Sequence, residues 1–288
     1  MMLAIHDIHR DDSALAAPRY VTGLRNATYH ALPGLSSSVL RDISAGCVAD
    51  VWHRRVTAGA PSPAMMLGTS CHTLVLEPEH WQRDIAVLPD DAPKSGKRRD
   101  QMVRAALDAG AEAVVTSDEA HTALCVALAV QDHPTCRALL ADCPAREPSL
   151  TWRHESGHVL RVRPDALGGR LVDLKTSAPQ SGPSHNARSW RSHVLRYGMH
   201  ISAAMYRDVV RKVAGYDPGP MVWIVASTKA PHTVGVYKCG EELERAGRAL
   251  YHSAIERYDT WYRSAVESGS AWAGPEAQIE TIDIRGAQ

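Results

Sequence analysis

One stretch, Arg161 to Ser177 (RVRPDALGGRLVDLKTS), limits the folds open to this chain more than any other. It reads as two short strands joined by a glycine turn at Gly168-Gly169; the first ends in Pro164-Asp165 and the second carries Asp173-Leu174-Lys175. Successive side chains of a strand point to opposite faces, so Asp173 and Lys175 share one face while Leu174 points into the core. The glycine pair is a hairpin-type turn that folds Asp165 back toward Asp173. An exposed hairpin with ordinary surface charges is the competing reading. Leu171, Val172 and Leu174 argue against it, because they mark the second strand as core-bound and buried charges are costly unless paired or metal-bound. Two carboxylates and an ammonium beside one sheet edge make a candidate divalent-cation site with a charge stabiliser next to it.

The remaining chain supplies enough material for a substantial core: 288 residues, 44% apolar and 22% charged. The formal net charge is zero, so binding to nucleic acid requires a local basic patch and not a global field. Six cysteines (47, 71, 125, 136, 143, 239) form no CxxC pair, which argues against a zinc ribbon and a disulfide framework and favours a reducing compartment. No apolar run suits a signal peptide or a membrane span, so the expected protein is cytoplasmic and makes no membrane contact. Residues 1–28 are expected to be loosely held, and 29–288 to form a single domain.

Ser36 to Ser38 cap an expected helix over Val39 to Arg55, and Ser62-Pro63 open another that Pro78 closes, apolar almost all round and so expected to be buried. Ile85–Leu88 and Ala113–Val115 read as short strands. Residues 90–99 read as an exposed basic loop. Helices are expected over 98–109, 117–131 (signalled by Ser117 with Glu119) and 134–141. Ser149–His154, His158–Pro164 and Gly169–Thr176 read as one antiparallel meander. After a loop at 177–186 come helices at 187–194 and 198–214, strands at Met221–Ser227 and Thr233–Tyr237, and a long amphipathic helix at 241–267 carrying Leu243, Leu250, Ile255, Tyr258 and Trp261. A short extended tail follows.

Beyond the hairpin, His72 stands four residues after Gly68 on one helix face, so a missing side chain at one turn leaves space beside the imidazole at the next. As a nitrogen ligand beside two aspartates it suits Mn²⁺ better than Mg²⁺. The helix YGMHISAAMYRD places Ser202 and Tyr206 four apart. Its flanking cations Arg188, Arg191, Arg196, Arg207, Arg211 and Lys212 form a candidate phosphate-binding face, which a solvated helix surface explains nearly as well. Glu147 faces the site or simply begins a strand.

Taken together, GxxxH on a helix, PD, DLK and an alanine-rich helix ending in Tyr resemble the PD-(D/E)XK nuclease superfamily. More narrowly, the chain resembles phage and prophage exonucleases of the RecE (exonuclease VIII) type. The phrases that carry this are YHALPGLSSSVLRDI (29–43), LGTSCHTLVLEPEHW (67–81), VRPDALGGRLVDLKTS (162–177), YGMHISAAMYRD (197–208) and the closing ESGSAWAGPEAQIETIDI. The resemblance implies an α/β fold with a central mixed sheet flanked by helices. It implies His72, Asp165, Asp173 and the Leu174 carbonyl as ligands of Mg²⁺ (Mn²⁺ substituting), two ions per site, with Lys175 activating the attacking water and stabilising charge. Tyr206 falls where the family ends a Gln-x-x-x-Tyr motif; the Gln position is Ser202 here, a shorter donor. The implied activity is 5′-to-3′ digestion of linear double-stranded DNA from its ends. The implied partners are further copies of the chain in a toroidal homo-oligomer and a RecT-like annealing protein that takes the single strands. Two other readings compete with this one. A catalytically weak nuclease-fold protein that binds DNA ends or a recombination partner is favoured by Ser202 and opposed by the intact His/Asp/Asp/Lys set. An iron–sulfur relative is rejected because only Cys239 follows the catalytic stretch.

Overall fold

The computed structural model describes residues 19–57, 59, 61–178 and 186–268. In chain order the first elements are β1 (Arg19–Val21), α1 (Asn26–Ala31), β2 (Leu35–Ser36), α2 (Ser37–Ala45), α3 (Val48–Val56) and α4 (Pro63–Leu76). A 3₁₀ turn at Pro78–His80 leads into α5 (Trp81–Asp84), β3 (Ile85–Val87), α6 (Lys97–Asp108), β4 (Ala113–Val115), α7 (Ser117–Asp132) and α8 (Pro134–Ala141). Then come β5 (Ala145–Arg146), β6 (Ser149–Arg153), β7 (Val159–Val162), β8 (Ala166–Leu167) and β9 (Leu171–Ser177). The last elements are α9 (Ala187–Arg196), α10 (Met199–Ala214), β10 (Val222–Ser227), β11 (Val234–Lys238) and α11 (Glu241–Ser268).

The mixed α/β architecture is the expected one. A five-stranded sheet runs β11-β10-β9-β8-β5, with β9 and β10 parallel and the other pairs antiparallel. A four-stranded sheet runs β1-β6-β7-β2, and β3 and β4 pair alone in parallel. Alternation along β9 sorts its side chains onto two cores. Leu171 joins Trp223 and Val225 in the cluster beneath α2, α10 and α11. Val172 and Leu174 join Ile224 and Ala226 in the cluster beneath α4 and α7. By the same alternation Asp173 and Lys175 lie on the α10 side. Among the described residues no helix is long and apolar enough to cross a membrane.

Several expectations need correction. The expected helix over Val39–Arg55 is two helices, because Gly46 is extended (φ −153°, ψ −168°) and ends α2. The three-strand meander is not one sheet: β6 and β7 pair with each other, whereas β9 pairs with β8 and β10 in the other sheet. Pro164 lies where the chain crosses over, and a residue without an amide hydrogen suits a point where ladder pairing stops. Gly168-Gly169 does turn the chain between β8 and β9, for a different reason than turn geometry. Added Cβ atoms would meet the Asp142 carbonyl oxygen at 2.3 Å and the Asp142 carboxylate at 2.5 Å, so close approach of the 142–144 segment excludes a side chain.

In α11, Tyr251 takes the core position and Leu250 is exposed. The cap of α7 is Thr116, in a reciprocal box with Glu119, one residue before the expected Ser117. Residues 19–28, expected to be loosely held, contribute β1 to the four-stranded sheet and begin α1. Most of the 177–186 loop and the closing tail lie outside the described residues.

Candidate metal centre

Three short strands set the geometry. In the β8–β9 hairpin Ala166 faces Val172 and Leu167 faces Leu171, which carries Asp165 back alongside β9. There its Oδ2 accepts a hydrogen bond from the Leu174 amide at 2.5 Å. On the other side β5 pairs with β8, and the Glu147 amide donates to the Asp165 carbonyl at 3.1 Å. Glu147 has φ +47°, an unusual conformation for a residue with a side chain. The third contributor comes from α4, whose start is fixed by Pro63 and the Ser62 cap. His72 Nδ1 lies 3.7 Å from Asp165 Oδ2 and 4.0 Å from Glu147 Oε1. One ligand atom from each of His72, Glu147 and Asp165 falls within 4.8 Å of the others.

Beside this trio, Lys175 Nζ is 2.6 Å from Asp173 Oδ2 and donates to the Leu174 carbonyl at 3.3 Å. Arg163 Nε donates to Glu147 Oε2 at 2.5 Å. Tyr206 of α10 is hydrogen-bonded to Ser37 of α2.

Burial governs the electrostatics. It pushes the Asp165 carboxyl up, to about 7, with Asp173 adding to the rise and Lys175 and the Leu174 amide opposing it. Glu147 is raised by burial and by Asp165, against Arg163 and His72. His72 is lowered, first by burial and then by Lys175, so its imidazole is neutral and keeps a lone pair to give. Burial works against the charge of Lys175, but Asp173 and Asp165 outweigh it and the ammonium is held above its ordinary pKa. Tyr206 is pushed up to about 12 by burial and by Asp173, and so remains a donor. One neutral imidazole and two crowded carboxylates are the donor set of a hard or borderline divalent cation. The residues present fit such an ion.

A pH dependence follows. The folded-state pKa of Asp165 lies above its ordinary 3.8, so its protonated form stabilises the metal-free protein and that contribution is lost as pH rises toward about 7. A cation binds the ionised form. Mn²⁺ is therefore expected to raise Tm more at about pH 8 than at about pH 5.5 in thermal-shift measurements; an equal rise at both would contradict this.

The expected site residues distribute as follows. His72 and Asp165 converge, and Glu147, expected either to face the site or to begin a strand, faces it and joins them as a third donor. Asp173 adjoins them, its Oδ2 held by Lys175. The Leu174 carbonyl is hydrogen-bonded by both Lys175 and His72. Ser202 is half-buried one turn before Tyr206 on α10. Gly68 faces Thr176, and an added Cβ would sit at an ordinary 3.6 Å from its Oγ1, so the absent side chain opens no needed space beside His72.

The basic face is smaller than expected. Arg188, Arg191 and Arg196 are exposed on α9. Arg207 instead binds Glu244 and Asp217, and Lys212 lies over the Trp152 ring at 5.6 Å. Arg163 was missed, although its place between the end of β7 and Pro164-Asp165 was a usable signal.

A family model described as a PDDEXK-like domain of unknown function (DUF3799) matches residues 36–274. A crystal structure from Eubacterium rectale, described as that of a "putative exonuclease", aligns with a TM-score of 0.59 over 92% of this chain and 97% of that one, at 11% identity. At that identity the likeness is one of fold. No curated protein matches the chain.

Proposed function

Since the chain belongs to the PDDEXK-like domain family (DUF3799), we propose that it is a metal-dependent exodeoxyribonuclease acting on linear double-stranded DNA from the 5′ end. The observation that carries this reading is the convergence of His72, Glu147 and Asp165 within 4.8 Å, next to a lysine on a strand built as Asp-Leu-Lys.

In this reading His72, Glu147 and Asp165 hold a Mg²⁺ or Mn²⁺ ion, and Asp173 with the Leu174 carbonyl provides for a second. A bound divalent cation supplies a Lewis acid for the phosphodiester and lowers the pKa of a water. The chain's own residues do the rest. Arg163 fixes the Glu147 carboxylate through a charge-assisted bond. Lys175, charged and half-buried on the Asp173 face, places a fixed positive charge where negative charge develops on the phosphate oxygens. Tyr206 keeps its proton and donates to a substrate oxygen. Exposed Arg188, Arg191 and Arg196 contribute sequence-independent attraction to the DNA backbone. The motif resemblance supports the extension to a toroidal homo-oligomer whose 3′ single strands pass to a RecT-like annealing protein.

The test is linear duplex labelled at either 5′ or 3′ end, beside closed circular duplex, in Mg²⁺ or Mn²⁺. Early release of the 5′ label, late release of the 3′ label, an intact circle and arrest by chelator are expected. Cutting of the circle at the linear rate would make the protein an endonuclease. Binding of ends without degradation in either metal would favour the non-cleaving reading, to which Ser202 at the family's Gln position points.

A further inference from the structure

The two cations nearest the carboxylates are spoken for: Lys175 by Asp173 and Arg163 by Glu147. Arg41 of α2 is not. Among the described residues no carboxylate pairs with it, and its Nε is buried without a hydrogen-bond partner. Its placement is well defined all the same. Ser37 and Arg41 are four residues apart in α2 and so share a helix face. Ser37 hydrogen-bonds Tyr206, which turns that face toward α10 and the metal centre. The stem of Arg41 lies on Gly198, in the left-handed conformation (φ +62°) just before α10, where an added Cβ would stand 3.3 Å from Arg41 Cγ and 3.4 Å from Cδ. A side chain at position 198 would displace the arginine.

We propose that Arg41 and the Tyr206 hydroxyl form an anion subsite beside the metal centre, which takes a backbone phosphate of the substrate strand. This rests on the DNA reading given above. A guanidinium with a desolvated, unanswered donor is costly to keep and is met best by a planar, multi-oxygen anion. Its charge also reaches Lys175 and Tyr206, working against the ammonium of the one and favouring the phenolate of the other. A phosphodiester strand, which brings a negative charge at every nucleotide, answers the free guanidinium of Arg41 while Lys175 keeps Asp173.

The test is equilibrium binding of a fluorescein-labelled linear duplex, in chelator so that nothing is cut, between about 50 and 200 mM salt. Arg41→Gln is expected to weaken binding about tenfold and to flatten the slope of log affinity against log salt by about 0.9, one phosphate contact. Arg41→Lys is expected to recover the slope, because charge is kept, and only part of the affinity, because the fork is lost. Tm should not fall in either variant, since no partner within the described chain is lost. Wild-type binding with an unchanged slope and affinity in Arg41→Gln would overturn the subsite alone. Failure of the wild type to bind the duplex would overturn the DNA reading and the subsite with it.

Discussion

Lys175→Ala is expected to slow phosphodiester cleavage by about 10²–10³-fold, the loss seen when one preorganised charge donor is removed from a transition state. Lys175 is on the strand face of Asp173, its Nζ 2.6 Å from that carboxylate, and it is held charged although half-buried. A charge fixed in a low-dielectric site needs no reorganisation when the phosphate becomes more negative, and so acts more strongly than the same charge in water. The ligand trio lies on other elements, α4, the residue after β5 and the residue before β8, so the substitution leaves those three donors in place. Cleavage by Lys175→Ala at the wild-type rate in Mg²⁺ would remove this residue from the chemistry.

The largest expected loss of stability comes from a glycine at the crossing of α10 and α11. Gly247 sits inside α11 where it crosses α10, and a Cβ there would stand 2.1 Å from the His200 carbonyl oxygen and 3.0 Å from the Ile201 nitrogen. Both are backbone atoms of a helix, so neither swings aside as a side-chain end would. Gly247→Ala must push the two helices apart at the centre of the main core, at a cost of about 1–3 kcal/mol, or a Tm several degrees lower. Gly68→Ala is the internal control. It is also a helix-interior glycine, its nearest neighbour is at an ordinary 3.6 Å, and the gain in helix propensity should stabilise by about 0.5–1 kcal/mol. Thermal unfolding of the two variants side by side should therefore give shifts of opposite sign; a Gly247→Ala protein as stable as wild type would show that the crossing is looser than the backbone distances imply.

How far the sequence could be read depended on the range of the physics involved. Alternation along Leu171–Ser177 is a local property, and it correctly separated Asp173 and Lys175 from Leu174. The helix of His72 was legible because Ser62-Pro63 begins it and the apolar run fills it. Gly46 shows where local reading fails: two extended residues, Gly46 and Cys47, split a pattern that looked continuous over Val39–Arg55.

The pairing of strands was not legible. Ser149–Arg153 and Val159–Val162 alternate as β9 does, and no periodicity says that the chain changes sheets at Pro164. Glu147 was ambiguous for the same reason, since its place beside His72 arises only when β5 pairs with β8 and brings it alongside Asp165. The bias of Arg207 toward Glu244 and Asp217 likewise needs α11, which is 37 residues on, and the 217 turn to be in place. Charges on a helix can be counted from sequence, but the partners that neutralise them cannot.

The central claim, that His72, Glu147 and Asp165 hold a divalent cation, is tested most directly by calorimetric titration of the chelator-stripped protein with Mn²⁺ at about pH 8. Wild type and Lys175→Ala are predicted to bind, while Asp165→Ala and Glu147→Gln bind at least about tenfold more weakly. Wild-type affinity in Asp165→Ala, or no binding by the wild type, would contradict the account.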